Sequence, residues 1–348
     1  MIVWTRVHHY EQDPHRPLIL ALGNFDGVHL GHQQILKSVA RQAKKRGGIP
    51  AVLTFSEHPQ RVLHQTGKPP LLTSPQHRLF LFEEQSVEVC FLIHFTLALS
   101  KVTPERFVEE WLVKQLAVKE VHLGYNAHFG SGRSGDCRLM KKLAGPLGFD
   151  FYEVEPVKIG GEFVSSSLIR QAVQQGDLSR AAECLGRPFT LFASVVRGKG
   201  WGRKLGYPTA NLKAHSEVFP PRGVYPVEVR ERSFRLRPAE TKDKFNYEID
   251  AAREWRRGIL NYGIRPTFSS GSAAEVAEVF LFNFKGDLYG KTLEVRFYSR
   301  LREEKEFRSS EELVKAIQQD VSNAEQFFKS RKGNSLQTSL GQLYWGRK

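Results

Sequence analysis

The sequence predicts an α/β domain built on a parallel sheet, followed by a small antiparallel β-barrel with a terminal helix. Three observations carry this. Short β-rich runs alternate with helical patterns from residue 17 to about 155, which is the signature of a parallel sheet with helices on both faces. Near residue 186 the pattern changes to short alternating strands separated by turn residues, with one helical stretch after them. A length of 348 residues also exceeds the roughly 150 residues of a typical domain and points to two.

In the first region the predicted strands are PLILALG (17–23), PAVLTF (50–55), VEVCFLI (87–93), KEVHLG (119–124) and DFYEVE (150–155). Helical patterns lie between them at 31–46, closed by Gly47-Gly48, and at 76–85, 104–117 and 136–147. The third has Thr103 placed to cap and Pro104 at the first helical position, where a missing N–H costs nothing. Ligands of such folds bind beyond the carboxyl ends of the strands. Helices at 166–175 and 178–185 lead into the second region, whose strands are FTLFASVV (189–196), GVYPVEVR (223–230), AEVFLFNF (277–284) and TLEVRFY (292–298). A helix is expected over 309–330. The charged segment 231–257 has no clear period and is expected to form an inserted surface excursion. The expected division is 1–186, 187–330 and a mobile polar tail, 331–348, in which Leu343, Tyr344 and Trp345 could dock.

No apolar run approaches the ~18 residues of a membrane span. The opening MIVWTRVHHYEQD places charges and histidines where a signal peptide needs an apolar stretch, so a cytoplasmic protein is expected. Cys90, Cys137 and Cys184 are far apart and form no CxxC, which supports neither a disulfide framework nor a thiolate zinc site. The 51 Lys and Arg against 37 Asp and Glu leave a net +14 and favour polyanionic partners: nucleic acid, acidic lipid or small phosphorylated ligands. Charge alone does not choose among them.

The stretch GNFDGVHLGH (23–32) directly follows the first strand and opens the first helix. A glycine-bearing loop there offers backbone N–H groups and a helix N-terminus to phosphate oxygens. His29 and His32, three apart, come onto one side of the helix, and Gly31 lets the backbone approach between them. The HxGH pattern resembles the signature of adenylyl and cytidylyl transferases, in which histidines stabilise charge on an α-phosphate under attack without a covalent intermediate. Spacing alone leaves open a pair of capping or surface histidines, or two metal ligands, although no third zinc ligand is legible.

Further stretches carry phosphate chemistry. VSSSLIRQAV (164–173) puts serines at a helix start with Arg170 one turn inside, a second anion-binding end or a plain N-cap. GYNAHFGSGRSGD (124–136) offers Asn126 and Arg133 to a nucleotide or flat aromatic ligand, or is a flexible surface loop. RGKGWGRKLGYPTANL (197–212) combines glycines and cations, then a rigid Pro208 with Thr209 and Asn211. Such backbone cradles phosphates, and a threonine hydroxyl can join a Mg²⁺ shell. It does not match GxxxxGK[ST], so it is not a P-loop. On the strand AEVAEVFLFNF, Glu275 and Glu278 lie on opposite faces, so at most one points into the barrel, where a carboxylate near phosphate could accept a proton.

Taken in order, GNFDGVHLGH, TFSEHP (54–59), GYNAHFGSGRSGD, SSSLIR, LGRPF (185–189), LGYPTANL (205–212), GVY (223–225), NYGIRPTF (261–268), DLYG (287–290) and LREEKEF (301–307) resemble the bacterial bifunctional riboflavin kinase/FMN adenylyltransferase family. The resemblance spans about residues 17 to 330. It implies a Rossmann-like nucleotidyltransferase domain and a riboflavin kinase barrel, and two reactions: phosphorylation of riboflavin by MgATP to FMN, then adenylyl transfer from ATP to FMN giving FAD and pyrophosphate. It implies Glu278 as the kinase base, with Gly198, Lys199, Gly206, Pro208, Thr209 and Asn211 at the nucleotide and Thr209 and Asn211 at the metal. His29, His32 and Arg170 would serve adenylyl transfer. Gly23, Asn24, Phe25, Asp26, Gly31 and Ser166 would bind nucleotide, and Asn126 and Arg133 flavin. Three positions depart from the pattern: Phe280 stands where histidine is common, Glu57 interrupts TFxPHP, and Asn126 replaces a frequent aspartate. The expected partners are riboflavin, FMN and ATP, with neither nucleic acid nor membrane. A single-activity enzyme and a nucleic-acid-binding protein are the rival readings; the chain has no RNA-recognition aromatic motif, zinc finger or basic helix.

Overall fold

The computed structural model describes residues 1–63, 69–198, 202, 205–239, 241–250, 253–265 and 274–331. They form two compact units, Met1–Ser166 with Phe234–Ile249, and Ser167–Ser233 with Asp250 onward.

The first unit is an α/β layer structure. Its parallel strands are β1 (Ile2–Trp4), β2 (Leu18–Leu22), β3 (Ile49–Phe55), β4 (Val89–Ile93), β5 (Val118–Gly124) and β6 (Asp150–Val154), in the order β1-β4-β3-β2-β5-β6. Every residue of β2 is buried, as a central strand covered on both faces requires. The helices are α1 (Leu30–Arg46), the short α2 (Pro59–Leu63), α3 (Pro75–Glu84), α4 (Pro104–Arg106) and α5 (Cys137–Leu147). Helix α1 ends on Gly47 in the left-handed conformation, with Lys44, Lys45 and Arg46 against its negative end. Thr103 caps α4, its hydroxyl accepting from Arg106 N at 3.3 Å. Beyond that turn the predicted single helix becomes a π-helix over Phe107–Gln115, with Leu116 N donating to Trp111 O. A two-stranded ribbon, β7 (Lys158–Ile159) and β8 (Glu162–Phe163), precedes α6 (Ser166–Gln175) and α7 (Leu178–Leu185).

The second unit is a closed antiparallel barrel of β9 (Thr190–Val196), β10 (Ala210–Ala214), β11 (Gly223–Arg232), β14 (Arg256–Arg265), β15 (Ala274–Leu281) and β16 (Thr292–Phe297), ordered β10-β15-β14-β11-β16-β9. Leu191, Val227, Leu260, Val279 and Val295 fill its interior. Helix α8 (Ser310–Arg331) lays Ile317, Val321 and Ala324 on the barrel's outer face against Val224, Ile259, Phe280 and Phe282. Arg302 secures it with two bonds of 2.8 Å to Asp320.

The segment 231–257 is not a patternless excursion. Within it β12 (Phe234–Pro238) and β13 (Lys244–Ile249) form a hairpin, and β13 pairs antiparallel with β1 on the edge of the first unit's sheet. Asp243 anchors the hairpin: its carbonyl accepts Thr5 N at 2.9 Å and its carboxylate meets His9 Nδ1 at 2.5 Å. Exposed charges on β12 obscure the alternation that buries Tyr247 on β13. Of the expected tail 331–348, Arg331 closes α8, and 332–348, with Leu343, Tyr344 and Trp345, lie outside the described residues.

Candidate active sites

The chain leaves β2 at the carboxyl edge of the sheet through a turn in which Phe25, Gly27 and Val28 have φ of 51°, 83° and 40°. Two non-glycine residues in left-handed backbone need an enforcing environment. Asp26 supplies part of it. Buried to 3%, its carboxylate accepts Leu72 N, Thr73 N and the Thr73 hydroxyl at 3.0–3.1 Å, while Thr73 Oγ1 accepts Gly27 N at 2.9 Å. Arg78 supplies the rest, donating to Asn24 O and Phe55 O at 2.8 Å each from within the core. The Thr54 hydroxyl also donates to Asn24 O, at 3.1 Å, and the Asn24 amide lies 3.4 Å from His58 Nε2.

This held turn delivers the two histidines. His29 caps α1, its Nδ1 accepting His32 N at 3.4 Å, and its ring stacks on that of His32 with centroids 3.6 Å apart. The capping reading holds for His29, and the stack brings both rings together. A Cβ on Gly31 would stand 3.2 Å from the His29 ring, and one on Gly23 3.3 Å from Phe25, so both glycines make room. Phe25 is 1% exposed, with its ring edge-on to His32 at 5.2 Å. Asp26 and Phe25 thus act behind the histidines, through the turn. Ser166 donates its hydroxyl to Asp26 O at 2.8 Å, which brings the start of α6 to the same turn. Arg170 lies one turn along α6 and is counted with the second compact unit.

Asn126 and Arg133 are exposed on the loop after β5. That loop is pinned: Phe129 and Gly135 exchange two backbone bonds of 3.0 Å, and Ser131 N donates to Val102 O at 2.7 Å. Cys90, Cys137 and Cys184 are free and buried. Among the described residues no group of three or more His, Cys, Asp or Glu could hold a metal ion.

The second cluster is in the barrel. Gly198 packs directly on the Asn211 side chain, and Gly202 on the Tyr207 carbonyl and the Thr209 hydroxyl, so these two glycines lie against both polar residues. Gly206 has φ of 83° and turns the chain into Pro208. Lys199 lies outside the described residues. Asn211 is in register with Glu278 across the β10–β15 ladder. Parity decides between the two glutamates. Ala277, Val279 and Leu281 face the interior, so Glu278 and Phe280 face outward, on the side of Thr209 and Asn211; Glu278 is not the inward carboxylate of the pair. Glu275 has the interior parity but accepts from Arg222 Nη2 at 2.9 Å and from the Tyr262 hydroxyl at 2.7 Å. The Arg222 guanidinium, then Tyr262, hold its carboxyl below the usual range. Tyr207 meets Phe280 edge to face at 5.3 Å, filling the position where histidine is common.

Residues 11–168 match the FAD synthetase family and residues 185–328 the riboflavin kinase family. Bifunctional riboflavin kinase/FMN adenylyltransferases of Haemophilus influenzae and Escherichia coli are each 32% identical, over 89% and 92% of this chain and 94% and 96% of their own. The chain belongs to the bifunctional riboflavin kinase/FMN adenylyltransferase family. A crystal structure of a macrolide-efflux protein from Streptococcus pneumoniae is similar along 93% of this chain and 98% of that one, with 26% identity and a TM-score of 0.76. No helix of the described residues is long and apolar enough to cross a membrane. Against the family pattern, the residues that sequence reading missed are Arg78, Thr73 and Thr54, which shape the histidine turn. Arg78 left a trace, as a cation directly before the apolar LFLF run of α3, and Thr54 opens the TFSEHP block.

Proposed function

We propose that the two clusters are the two active sites, with adenylyl transfer carried by 1–186, riboflavin phosphorylation by 187–330, and 331–348 outside both. The chain is a riboflavin kinase and an FMN adenylyltransferase of flavin-cofactor synthesis. The observation that carries the assignment of sites is the barrel register: Glu278 lies beside Asn211, which Gly198 covers, in a unit separate from the His29 and His32 stack.

In the barrel the 5′-hydroxyl of riboflavin attacks the γ-phosphorus of ATP. An O–P bond forms, the β,γ-bridging P–O bond breaks, ADP leaves, and Glu278 accepts the hydroxyl proton. The Thr209 hydroxyl and the Asn211 amide oxygen are hard donors suited to Mg²⁺, beside glycines whose backbone packs directly on them. Mg²⁺ bound there would neutralise charge on the transferring phosphate. Gly198, Lys199, Gly206 and Pro208 bind the nucleotide. In the first unit an FMN phosphate oxygen attacks the α-phosphorus of a second ATP and pyrophosphate leaves. His29 and His32, with Arg170, donate to the phosphate oxygens on which charge develops; Gly23, Asn24, Phe25, Asp26, Gly31 and Ser166 form and hold the loop at the nucleotide. Asn126 and Arg133 contact the flavin. Riboflavin, FMN and ATP are the partners, and the cytoplasm, which supplies ATP, is the compartment.

Incubation with riboflavin, ATP and Mg²⁺, followed by chromatography of the flavins over time, tests this. FMN appearing before FAD is the expected course. Glu278→Gln should abolish FMN formation and leave FAD formation from supplied FMN; loss of both together would sink the two-site reading.

A further inference from the structure

The barrel's outer face carries another polar side chain in line with the pair just assigned. Antiparallel register sets Asn211 opposite Glu278, and Glu278 opposite Asn261 of β14. Residues directly opposite in a ladder share a face, with Cβ atoms about 4.5–5.5 Å apart. The neighbours of Asn261 settle which face this is. Leu260 and Tyr262 are buried, at 0% and 7% exposure, whereas Asn261 is exposed. Along the same face of β14, Ile259 is covered by α8 and Gly263 lies beneath the Glu304 carboxylate.

The other flank of Asn261 is decisive. Its cross-strand neighbour on β11 is Val224, an apolar residue 2% exposed and packed under α8. Between its two lateral neighbours, only Glu278 can accept a hydrogen bond from the Asn261 amide. Among the described residues, Glu304 accepts Ile264 N at 2.8 Å, and Arg302, bridged to Val224, is bound by Asp320.

We infer that Asn261 is a positioning residue for riboflavin phosphorylation, its side-chain N–H donating to the Glu278 carboxylate from the side opposite Asn211. Such a bond orients the carboxylate and fixes the lone pair that takes the hydroxyl proton. The inference rests on Glu278 being the proton acceptor.

The test is steady-state kinase kinetics of Asn261→Ala, Asn261→Ser and Asn261→Asp beside Glu278→Gln, with thermal midpoints and FAD formation from supplied FMN measured on each. Asn261→Ala should lower kcat for riboflavin about tenfold, within the 10²–10⁴ that a general base contributes, and leave KM within about twofold. Asn261→Ser keeps a donor and should recover most of the loss. Asn261→Asp, which cannot donate when ionised and repels Glu278, should fall below Asn261→Ala. Retained kcat in Asn261→Ala beside an inactive Glu278→Gln would overturn the inference alone. So would a serine variant as impaired as alanine with an equally lowered midpoint, because that marks packing. An active Glu278→Gln would overturn the underlying reading and the inference with it.

Discussion

The imidazoles of His29 and His32 stack, with ring centroids 3.6 Å apart and planes 20° from parallel. One ring caps α1 and the other stands one turn inside it, so both present ring nitrogens at the helix N-terminus, where an anion is favoured. Either substitution to alanine should cut FAD formation from FMN by about 10²–10³, the scale of losing one donor to developing charge. Riboflavin phosphorylation by the same variants should be unchanged, and chromatography of both reactions reads the difference.

In the barrel the corresponding sensitivity is steric. A Cβ on Gly202 would meet the Tyr207 backbone carbonyl as well as the Thr209 hydroxyl, and backbone cannot rotate away. Gly202→Ala should reduce kinase kcat/KM for ATP by about a hundredfold, as a misplacement of about 1 Å does. FAD formation from FMN should persist. Kinase kinetics at wild-type level would mean that the loop does not close on Thr209 during the reaction.

Arg78 predicts a stability effect with a functional shadow. Its guanidinium joins the Asn24 and Phe55 carbonyls inside the core, and burial lowers its pKa. Arg78→Met should leave Phe55 O without this donor and Asn24 O with the Thr54 hydroxyl alone, and destabilise the first unit by about 2 kcal/mol, at 1–3 kcal/mol for an unsatisfied group. Denaturant unfolding reads the loss. Arg78→Lys, with one point charge in place of a planar fork, should recover only part of it.

The buried pair on β5 makes the first unit sensitive to acid. His122 Nε2 lies 2.7 Å from Glu120 Oε1, with both side chains at 0% exposure. Burial, then Arg41 and Arg46, push His122 from 6.5 down to about 4. Between those values the unfolded chain binds a proton that the folded chain refuses, so stability falls as pH falls through this window, by on the order of 3 kcal/mol. Burial raises Glu120, against Arg46, and its own protonation offsets part of the loss at the acid end. His122→Gln should flatten the dependence. Unfolding midpoints at about pH 7 and about pH 5 check it, and an unchanged slope would place the acid sensitivity elsewhere.

Local pattern was legible wherever one periodicity ran unbroken. The five buried residues of β2, the Thr103 cap and the apolar stripe of α8 each appear in the sequence in the form the fold uses. The chemistry-bearing loops were legible too, since glycines and histidines at close spacing carry their own geometric meaning. Arg78 was not, because its partners are backbone carbonyls up to 54 positions away and no side-chain pattern records them. The hairpin Phe234–Ile249 was not, because its partner strand β1 lies 240 to 244 positions earlier and pairs through main-chain groups.

The sequence by itself determined which residues could meet phosphate, how the elements alternate, and the family they belong to. Only the tertiary structure decided that Glu278 stands on the barrel's outer face, that Asn211 and Asn261 flank it in register, and that Asp26 and Phe25 lie buried behind the histidines. The physical reason is that periodicity gives a side chain's face only relative to its own strand. Which face is interior, and what stands opposite, follow from register, set by barrel closure and the packing of α8.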